Sequence, residues 1–301
     1  MSKRSIVHML DPMVHNSPFD INMAVDAGYE VVIPYSNVKL EEVAGLTQDA
    51  IFSRGPAGVK KTGMFIGGRD IGLAMDMLDA AKKAMVPPFE VSVFADPSGA
   101  FTTAAALVAC VERDLKKNFD LPLSGMRAVV FGGTGPVGLA TAVIVAQQGA
   151  ETTIVDHFSI DTALEYAKEA KTRYGVNLRA TAAASDADKA RLLSNADLVF
   201  CTAKAGIQVL NASVLEDAKQ LKVAGDVNAV SPLGIEGVGI MDSGEPLILA
   251  VNSKGAVGIG ALAVGNVKYK LQHALLKETL DAEKPVYLDF RNAFDGARQL
   301  V

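Results

Sequence analysis

The sequence has few of the residues that build metal centres and disulfide frameworks. Its 301 residues include two cysteines, four histidines and no tryptophan, and only 6% are aromatic. Cys110 and Cys201 stand far apart inside apolar segments, with neither CxxC nor metal-ligand spacing, so both read as buried thiols of a reducing compartment. His8, His15 and His273 have no ligand spacing among themselves or with a cysteine, and no metal is expected. No serine lies in a nucleophile-elbow pattern. Positive charge is not in excess either: the net charge is −5, and no basic face is concentrated to neutralise phosphates, so nucleic acid is not an expected partner. No segment approaches the ~18 uninterrupted apolar residues of a membrane helix. The apolar run 6–10 behind Lys3 and Arg4 is shorter than a signal-peptide core. A soluble, cytoplasmic protein with no membrane partner is expected. What the chain does have is hydrophobic residues, 50% of the total, enough for the cores of two domains.

Short apolar runs alternate with amphipathic stretches, which predicts an α/β fold with mostly parallel sheets. In the first part, strands are expected at 6–10, 30–34, 64–66 and 90–94. Residues 70–85 place Ile71, Ala74, Met75, Leu78 and Ala81 at helical spacing and end near Lys82 and Lys83, where a helix dipole favours cations. An Ala-rich helix is read from about 99 to 117. The polar segment 118–125, with Pro122 and Gly125, marks a junction. Beyond it, strands are expected at 127–131, 152–155, 177–182, 198–202 and 221–224. The domains are therefore read as 1–117 for a substrate and 118–280 as a doubly wound parallel-sheet, Rossmann-type nucleotide domain. Residues 281–301 return to pack on the first domain, with a final helix over 288–301.

The strongest motif follows the apolar run 127–131: Gly133-x-Gly135-x-x-Gly138, leading into an apolar helix. Three glycines at this spacing permit a tight turn, close backbone approach to a pyrophosphate and close helix–strand packing. The helix start presents unpaired N–H groups and a positive dipole end to the phosphates. Thr134, Pro136 and Val137 complete the turn. Asp156 closes the next strand at the place of a ribose ligand, which favours NAD over NADP, while the imidazole of the adjacent His157 would partly offset repulsion of a 2′-phosphate. Loops at the ends of later strands are expected to line the same crevice, giving Ala203, Asp226, Asn228, Gly260 and Ala261 as further cofactor-binding candidates. Gly258 and Gly260 also suit an ordinary turn.

Several segments lie outside that generic pattern: Ser17-Pro-Phe-Asp20, Phe65-Ile-Gly-Gly68, Asp96-Pro-Ser-Gly-Ala-Phe-Thr-Thr103, Asp226-Val-Asn228 and the run from Gly258 to Lys268. Together with Gly132–Gly138 they resemble, from end to end, the methylene-tetrahydromethanopterin dehydrogenases of methylotrophic bacteria. The resemblance implies NAD(P)-dependent oxidation of methylene- to methenyl-tetrahydromethanopterin by direct hydride transfer in one-carbon metabolism, in a homo-oligomer. NADP-specific members carry an arginine soon after the second Rossmann strand. Asp156-His157-Phe158 stands there instead, as in the NAD-using or dual type.

Under that resemblance Asp20 and Asp96 are candidates to stabilise the forming cation, and Lys268 matches a family lysine that would orient the pterin. Ser17, Phe19, Thr102 and Thr103 are substrate-binding candidates. Each has a plainer reading: Asp20 suits a helix N-cap, Asp96 a turn before Pro97, Thr102 and Thr103 a helix start, and Lys268 a solvated helix charge. If its segment is helical, Lys270 projects from nearly the opposite side to Lys268. Arg54, Lys60 and Lys61 flank a Gly/Pro loop and read either as a contact for an anionic pterin tail or as a solvated cluster. Three other functions stay open at this level: the same reaction on methylene-tetrahydrofolate, a shikimate-type or amino-acid dehydrogenase, and a non-catalytic NAD(P) sensor.

Overall fold

The apolar run at the start of the chain becomes strand β1 (Ile6–Leu10) in the computed structural model, which describes residues 3–301. Met1 and Ser2 of the basic N-terminal stretch lie outside the described residues. After β1 come α1 (Pro18–Asp26), β2 (Val31–Tyr35), α2 (Leu40–Phe52), α3 (Gly55–Val59), β3 (Thr62–Ile66), α4 (Ile71–Lys83) and β4 (Ser92–Ala95). Asp70 caps α4 by accepting the N–H of Leu73, and Lys82 and Lys83 occupy its last turn. Every residue of β3 and β4 is buried, as expected of central parallel strands covered on both faces. Phe65 and Phe94 are paired across these strands and meet edge to face, with ring centroids 5.5 Å apart. β2 lies at the sheet edge, where Pro34, lacking an N–H, is tolerated.

Helix α5 (Ala100–Phe119) leads to the second sheet. There β5 (Arg127–Phe131), α6 (Pro136–Gln147), β6 (Glu151–Asp156), α7 (Ile160–Tyr174), β7 (Arg179–Ala182), α8 (Asp186–Leu193), β8 (Leu198–Cys201), α9 (Ala212–Glu216) and β9 (Val223–Asp226) follow one another, and β10 (Ser243–Pro246) and β11 (Val257–Ile259) complete the sheet. The order is β10-β11-β9-β8-β5-β6-β7. All pairings are parallel except that of the edge strand β10 with β11. The chain moves outward from β5 through β6 and β7, then crosses to β8 on the other side of β5. The topological switch point therefore falls between β5 and β8, where open parallel sheets bind ligands beyond their carboxyl ends.

Helix α10 (Ala261–Asp281), strand β12 (Tyr287–Leu288) and helix α11 (Phe290–Arg298) end the chain. β12 pairs with β4, so the first sheet reads β12-β4-β3-β1-β2, all parallel. Its switch point lies between β1 and β3. The chain divides into two units, one formed by the residues up to Thr102 with Tyr269–Gly296, the other by Thr103–Lys268 with Ala297–Val301. These divisions fall inside α5 and α10; the first lies within the Ala-rich helix around which the sequence places its junction, but ahead of the 117/118 boundary. A helix carries its hydrogen bonds straight through such a division, and composition alone does not mark the change. The final segment also departs from the single helix expected over 288–301: β12 takes Leu288, and the helix begins at Phe290.

Candidate functional site

Strand β5 is an apolar run buried from Ala128 to Phe131, and α6 is buried on nearly all sides from Gly138 to Val145. The glycines between them serve different ends. At Gly132, φ is +73° and an added Cβ would lie 2.8 Å from the Ala203 nitrogen, so this turn packs directly on the loop after β8. At Gly133 a Cβ would meet the Ile154 Cβ at 2.7 Å, and at Gly138 the Gly132 oxygen at 2.1 Å. These two are demanded by the protein's own packing. Gly135 is less confined: its Cβ would approach only the Gly132 oxygen, at 3.3 Å, a tight contact rather than a clash.

Gly135 is the N-cap of α6 and supplies no side-chain cap; Pro136, with no N–H, follows it. First-turn N–H groups have no intrahelical partner, so Val137 and Gly138 offer theirs at a dipole's positive end, where an anion is favoured. The Thr202 hydroxyl donates to the Phe131 carbonyl at 2.8 Å, tying the turn to the β8 loop. A dinucleotide pyrophosphate fits this cradle.

Asp156 ends β6. One carboxylate oxygen accepts the Thr134 hydroxyl at 2.7 Å, and the other accepts the N–H groups of Phe158 and Ser159 at 2.8 and 2.9 Å. Burial raises its pKa, but the Ser159 amide, the Thr134 hydroxyl and the Phe158 amide outweigh that effect and hold it below its usual value. Thr134 thus links the glycine turn to the end of the next strand. His157 is exposed, its ring edge-on to that of Phe158 with centroids 4.3 Å apart.

Asp226 and Asn228 differ from the sequence expectation. Asp226, 1% exposed, accepts the N–H groups of Asn228 and Ile235 at 2.9 and 3.0 Å. Asn228 accepts from the N–H groups of Gly206 and Val230 and donates to the Pro232 carbonyl. Both side chains are spent on shaping the loops beyond β8 and β9. Burial raises the Asp226 pKa against the opposing pull of those amides. Gly258 belongs to strand β11 rather than a turn, and a Cβ on Gly260 would lie 1.9 Å from the Gly239 oxygen. Packing thus already accounts for both glycines. Ala261 opens α10.

In the first unit, Ser17, Phe19, Asp20, Asp96 and Thr102 follow the carboxyl ends of β1 and β4, and Thr103 is the first residue of the second unit. Ser17 caps α1 by accepting the Asp20 N–H at 3.4 Å, so Asp20 sits in the first helical turn and is not the cap. Asp20 is 4% exposed and accepts from the Gln272 amide at 2.6 Å. Phe19 is 45% exposed. Asp96, just past β4, is fully buried and accepts the N–H groups of Phe101 and Thr102 at 2.9 and 3.1 Å and the Thr102 hydroxyl at 2.6 Å. The Thr102 hydroxyl is therefore committed to Asp96 and buried with it; Thr103 follows on α5, half-buried.

Sequence reasoning missed Asp11, at the switch point beyond β1. It is 6% exposed and accepts the Met13 N–H at 2.8 Å. Burial raises its pKa, against the Met13 and Gly68 amides and the nearby Arg69. A Cβ on Gly67 would lie 2.6 Å from its carboxylate. The signal was available in the sequence, since Asp11 closes an apolar strand as Asp96 and Asp156 do. Arg54, by contrast, bonds to the Arg4 and Lys61 carbonyls and the Thr62 hydroxyl, where β1 and β3 begin. This cluster sits at the amino ends of β1 and β3, whereas Asp11 and Asp96 lie just past the carboxyl ends of β1 and β4, so Arg54 is not placed to contact a substrate bound there.

Lys268 lies in α10 one turn before Gln272 and on the same face. The segment is helical, so Lys270 projects from nearly the opposite side. Cys110 and Cys201 are buried and carry no disulfide. Among the described residues no group of three or more His, Cys, Asp or Glu is arranged to hold a metal ion, and no helix is long and apolar enough to cross a membrane.

Residues 18–98 match the family model of the N-terminal part of methylene-tetrahydromethanopterin dehydrogenase. Over 298 residues the chain is 48% identical to an NAD(P)-dependent methylenetetrahydromethanopterin dehydrogenase of Methylorubrum extorquens, covering 99% of both chains. A second protein of that organism, bifunctional protein MdtA, is 31% identical over 301 residues and all of both chains. Among solved structures, 5-ketofructose reductase of Gluconobacter sp. superposes with a TM-score of 0.50 at 15% identity, covering 99% of each chain. Shikimate 5-dehydrogenase of Listeria monocytogenes gives 0.50 at 12%, covering 99% of this chain and 96% of that one. These two share the fold alone. The near-complete sequence match, together with the family model over 18–98, places the chain in the methylene-tetrahydromethanopterin dehydrogenase family.

Proposed function

We propose that this protein catalyses the NAD(P)-dependent oxidation of methylene-tetrahydromethanopterin to methenyl-tetrahydromethanopterin. The observation that carries the reading is the glycine turn: Gly135 has the weakest packing reason of the three motif glycines to be glycine, yet it caps a buried helix whose first amides lack a side-chain acceptor. An outside anion that approaches the backbone closely accounts for both features. NAD(P), when bound, supplies the hydride acceptor.

The chain's own residues have an electrostatic and positional task. Loss of hydride leaves a cation shared between the two nitrogens flanking the substrate's methylene carbon, and a carboxylate near it stabilises that charge as it develops. Asp20 is the residue we assign to this role, with Lys268 orienting the pterin and Ser17, Phe19 and Thr103 around it. Asp96 and Thr102, hydrogen-bonded to one another, set the start of α5. In the nucleotide site, Gly133 to Gly138 cradle the pyrophosphate, Asp156 and His157 meet the ribose, and Ala203, Gly260 and Ala261 line the crevice from the loops after β8 and β11. Asp226 and Asn228 act by fixing their loops.

Asp156 supports NAD as the preferred nucleotide, because a carboxylate accepts from ribose hydroxyls and repels a 2′-phosphate. Asp156→Ser is expected to shift the ratio of kcat/KM values toward NADP by about tenfold, equal to roughly 1.4 kcal/mol; an unchanged ratio removes Asp156 from the ribose site. The family resemblance further implies a homo-oligomer, its size to be measured by light scattering, and the two buried, unpaired thiols support a reducing, cytoplasmic location.

The reading is tested by following NAD(P)H absorbance with methylene-tetrahydromethanopterin and methylene-tetrahydrofolate side by side. Turnover with the first substrate and much slower turnover with the second is expected. Tight nucleotide binding with no turnover on either sinks the enzyme reading in favour of a sensor.

A further inference from the structure

We propose that Gln272 is a positioning residue for hydride transfer, acting through the carboxylate of Asp20; the proposal rests on the assignment of Asp20 to the forming cation made above. Gln272 is fully buried and Asp20 is 4% exposed, and the amide Nε2 lies 2.6 Å from Asp20 Oδ1 across 252 residues of sequence. The bond ties the first turn of α1 to α10.

A buried carboxylate needs donors, because an unsatisfied one costs several kcal/mol, on the order of the desolvation penalty itself. Any donor would satisfy that need, but an amide orients the carboxylate without adding a positive charge of its own. A lysine or arginine at position 272 would cancel part of the charge that the reaction uses. Hydrogen bonding one oxygen also fixes the carboxylate plane, and with it the direction of the second oxygen. Placement errors of about 1 Å near reacting atoms cost on the order of a hundredfold in rate. The pair is legible only in three dimensions, since neither residue belongs to a local motif containing the other.

Four variants test the inference: Gln272→Met, which removes the donor at similar length; Gln272→Glu, which keeps the size and faces Asp20 with a like charge; Asp20→Asn, which retains an acceptor; and the double variant Asp20→Asn with Gln272→Met. Gln272→Met is expected to lower kcat about tenfold with the KM for nucleotide unchanged, and Gln272→Glu to lower it further. The double variant should be no slower than Asp20→Asn alone, because the effect of Gln272 runs through the group already removed. Additive losses in the double variant, or wild-type kcat in both Gln272 variants while Asp20→Asn is slow, overturn the inference and leave the Asp20 assignment standing. Wild-type turnover by Asp20→Asn overturns that assignment, and the inference with it. Circular dichroism reports whether each variant folds; if Gln272→Met does not, the size-conserving Gln272→Glu decides between the same outcomes.

Discussion

Single aspartates at strand ends recur in both units, and each accepts backbone N–H groups from the loop it opens. Asp11 takes Met13, Asp96 takes Phe101 and Thr102, Asp156 takes Phe158 and Ser159, and Asp226 takes Asn228 and Ile235. A carboxylate offers up to four acceptor sites and organises a loop that backbone alone leaves unsatisfied. Asp197 does the reverse job at the other ends of the strands. It accepts from the Arg127 N–H at 3.0 Å and the Lys222 ammonium at 2.7 Å, pinning the starts of β5, β8 and β9. Burial would raise its pKa, but Lys222 and Arg127 outweigh that and lower it. The native state therefore binds this proton less readily than the unfolded chain. The stabilisation is present above the ordinary carboxylate range and is lost as pH falls through the lowered native value. Asp197→Ala is expected to cost about 2 kcal/mol near neutral pH. Urea unfolding should show the gap to wild type closing in acid, and a gap that stays constant would remove the carboxylate's charge as its cause.

At the scale of the element, the β5–α6 turn separates glycines that the fold needs from one that it needs much less, which is the glycine we propose a ligand requires. A Cβ on Gly138 would lie 2.1 Å from a backbone oxygen, whereas one on Gly135 lies at 3.3 Å. Gly138→Ala is expected to destabilise by roughly 1–3 kcal/mol through overpacking. Gly135→Ala should leave the melting temperature close to wild type while weakening nucleotide binding about tenfold in calorimetry, by obstructing approach to the α6 amides. Equal effects of the two variants on stability would contradict the distinction.

This turn was also the most legible part of the sequence. β1 and β5 lie at 6–10 and 127–131 as their apolar runs place them, and α6 follows the motif as expected. The edge strands β10 and β12 were not visible, because Ser243–Pro246 is largely exposed and Tyr287–Leu288 is two residues long, and neither makes an apolar run. Asp226 and Asn228 were legible as residues at and just past a strand end, but not in what they bond, since their partners lie in the irregular segment that follows or in the loop after β8. Gln272 carried no signal at all, being one polar residue in a long helix whose partner is 252 residues away.

At the scale of the whole molecule, the chain leaves its first unit along α5 and re-enters it along α10, so that unit is built from two distant segments. Its sheet is complete only when β12 pairs with β4, and its core only when Phe290, 2% exposed, meets Phe101 with ring centroids 5.4 Å apart. Closing so long a loop is entropically costly, though the cost rises only slowly with length, and the returning residues offset it by burial. Phe290 is therefore expected to contribute out of proportion to its place near the end of the chain. Phe290→Ala should cost about 3–5 kcal/mol in denaturant unfolding, through a large buried cavity and the lost ring contact. Nucleotide affinity measured on the folded fraction should stay at the wild-type value, because the glycine turn is held by β5, β6, β8 and α6 of the other unit. A fall in affinity matching the fall in stability would mean instead that the two segments of the first unit support the nucleotide site as well as their own core.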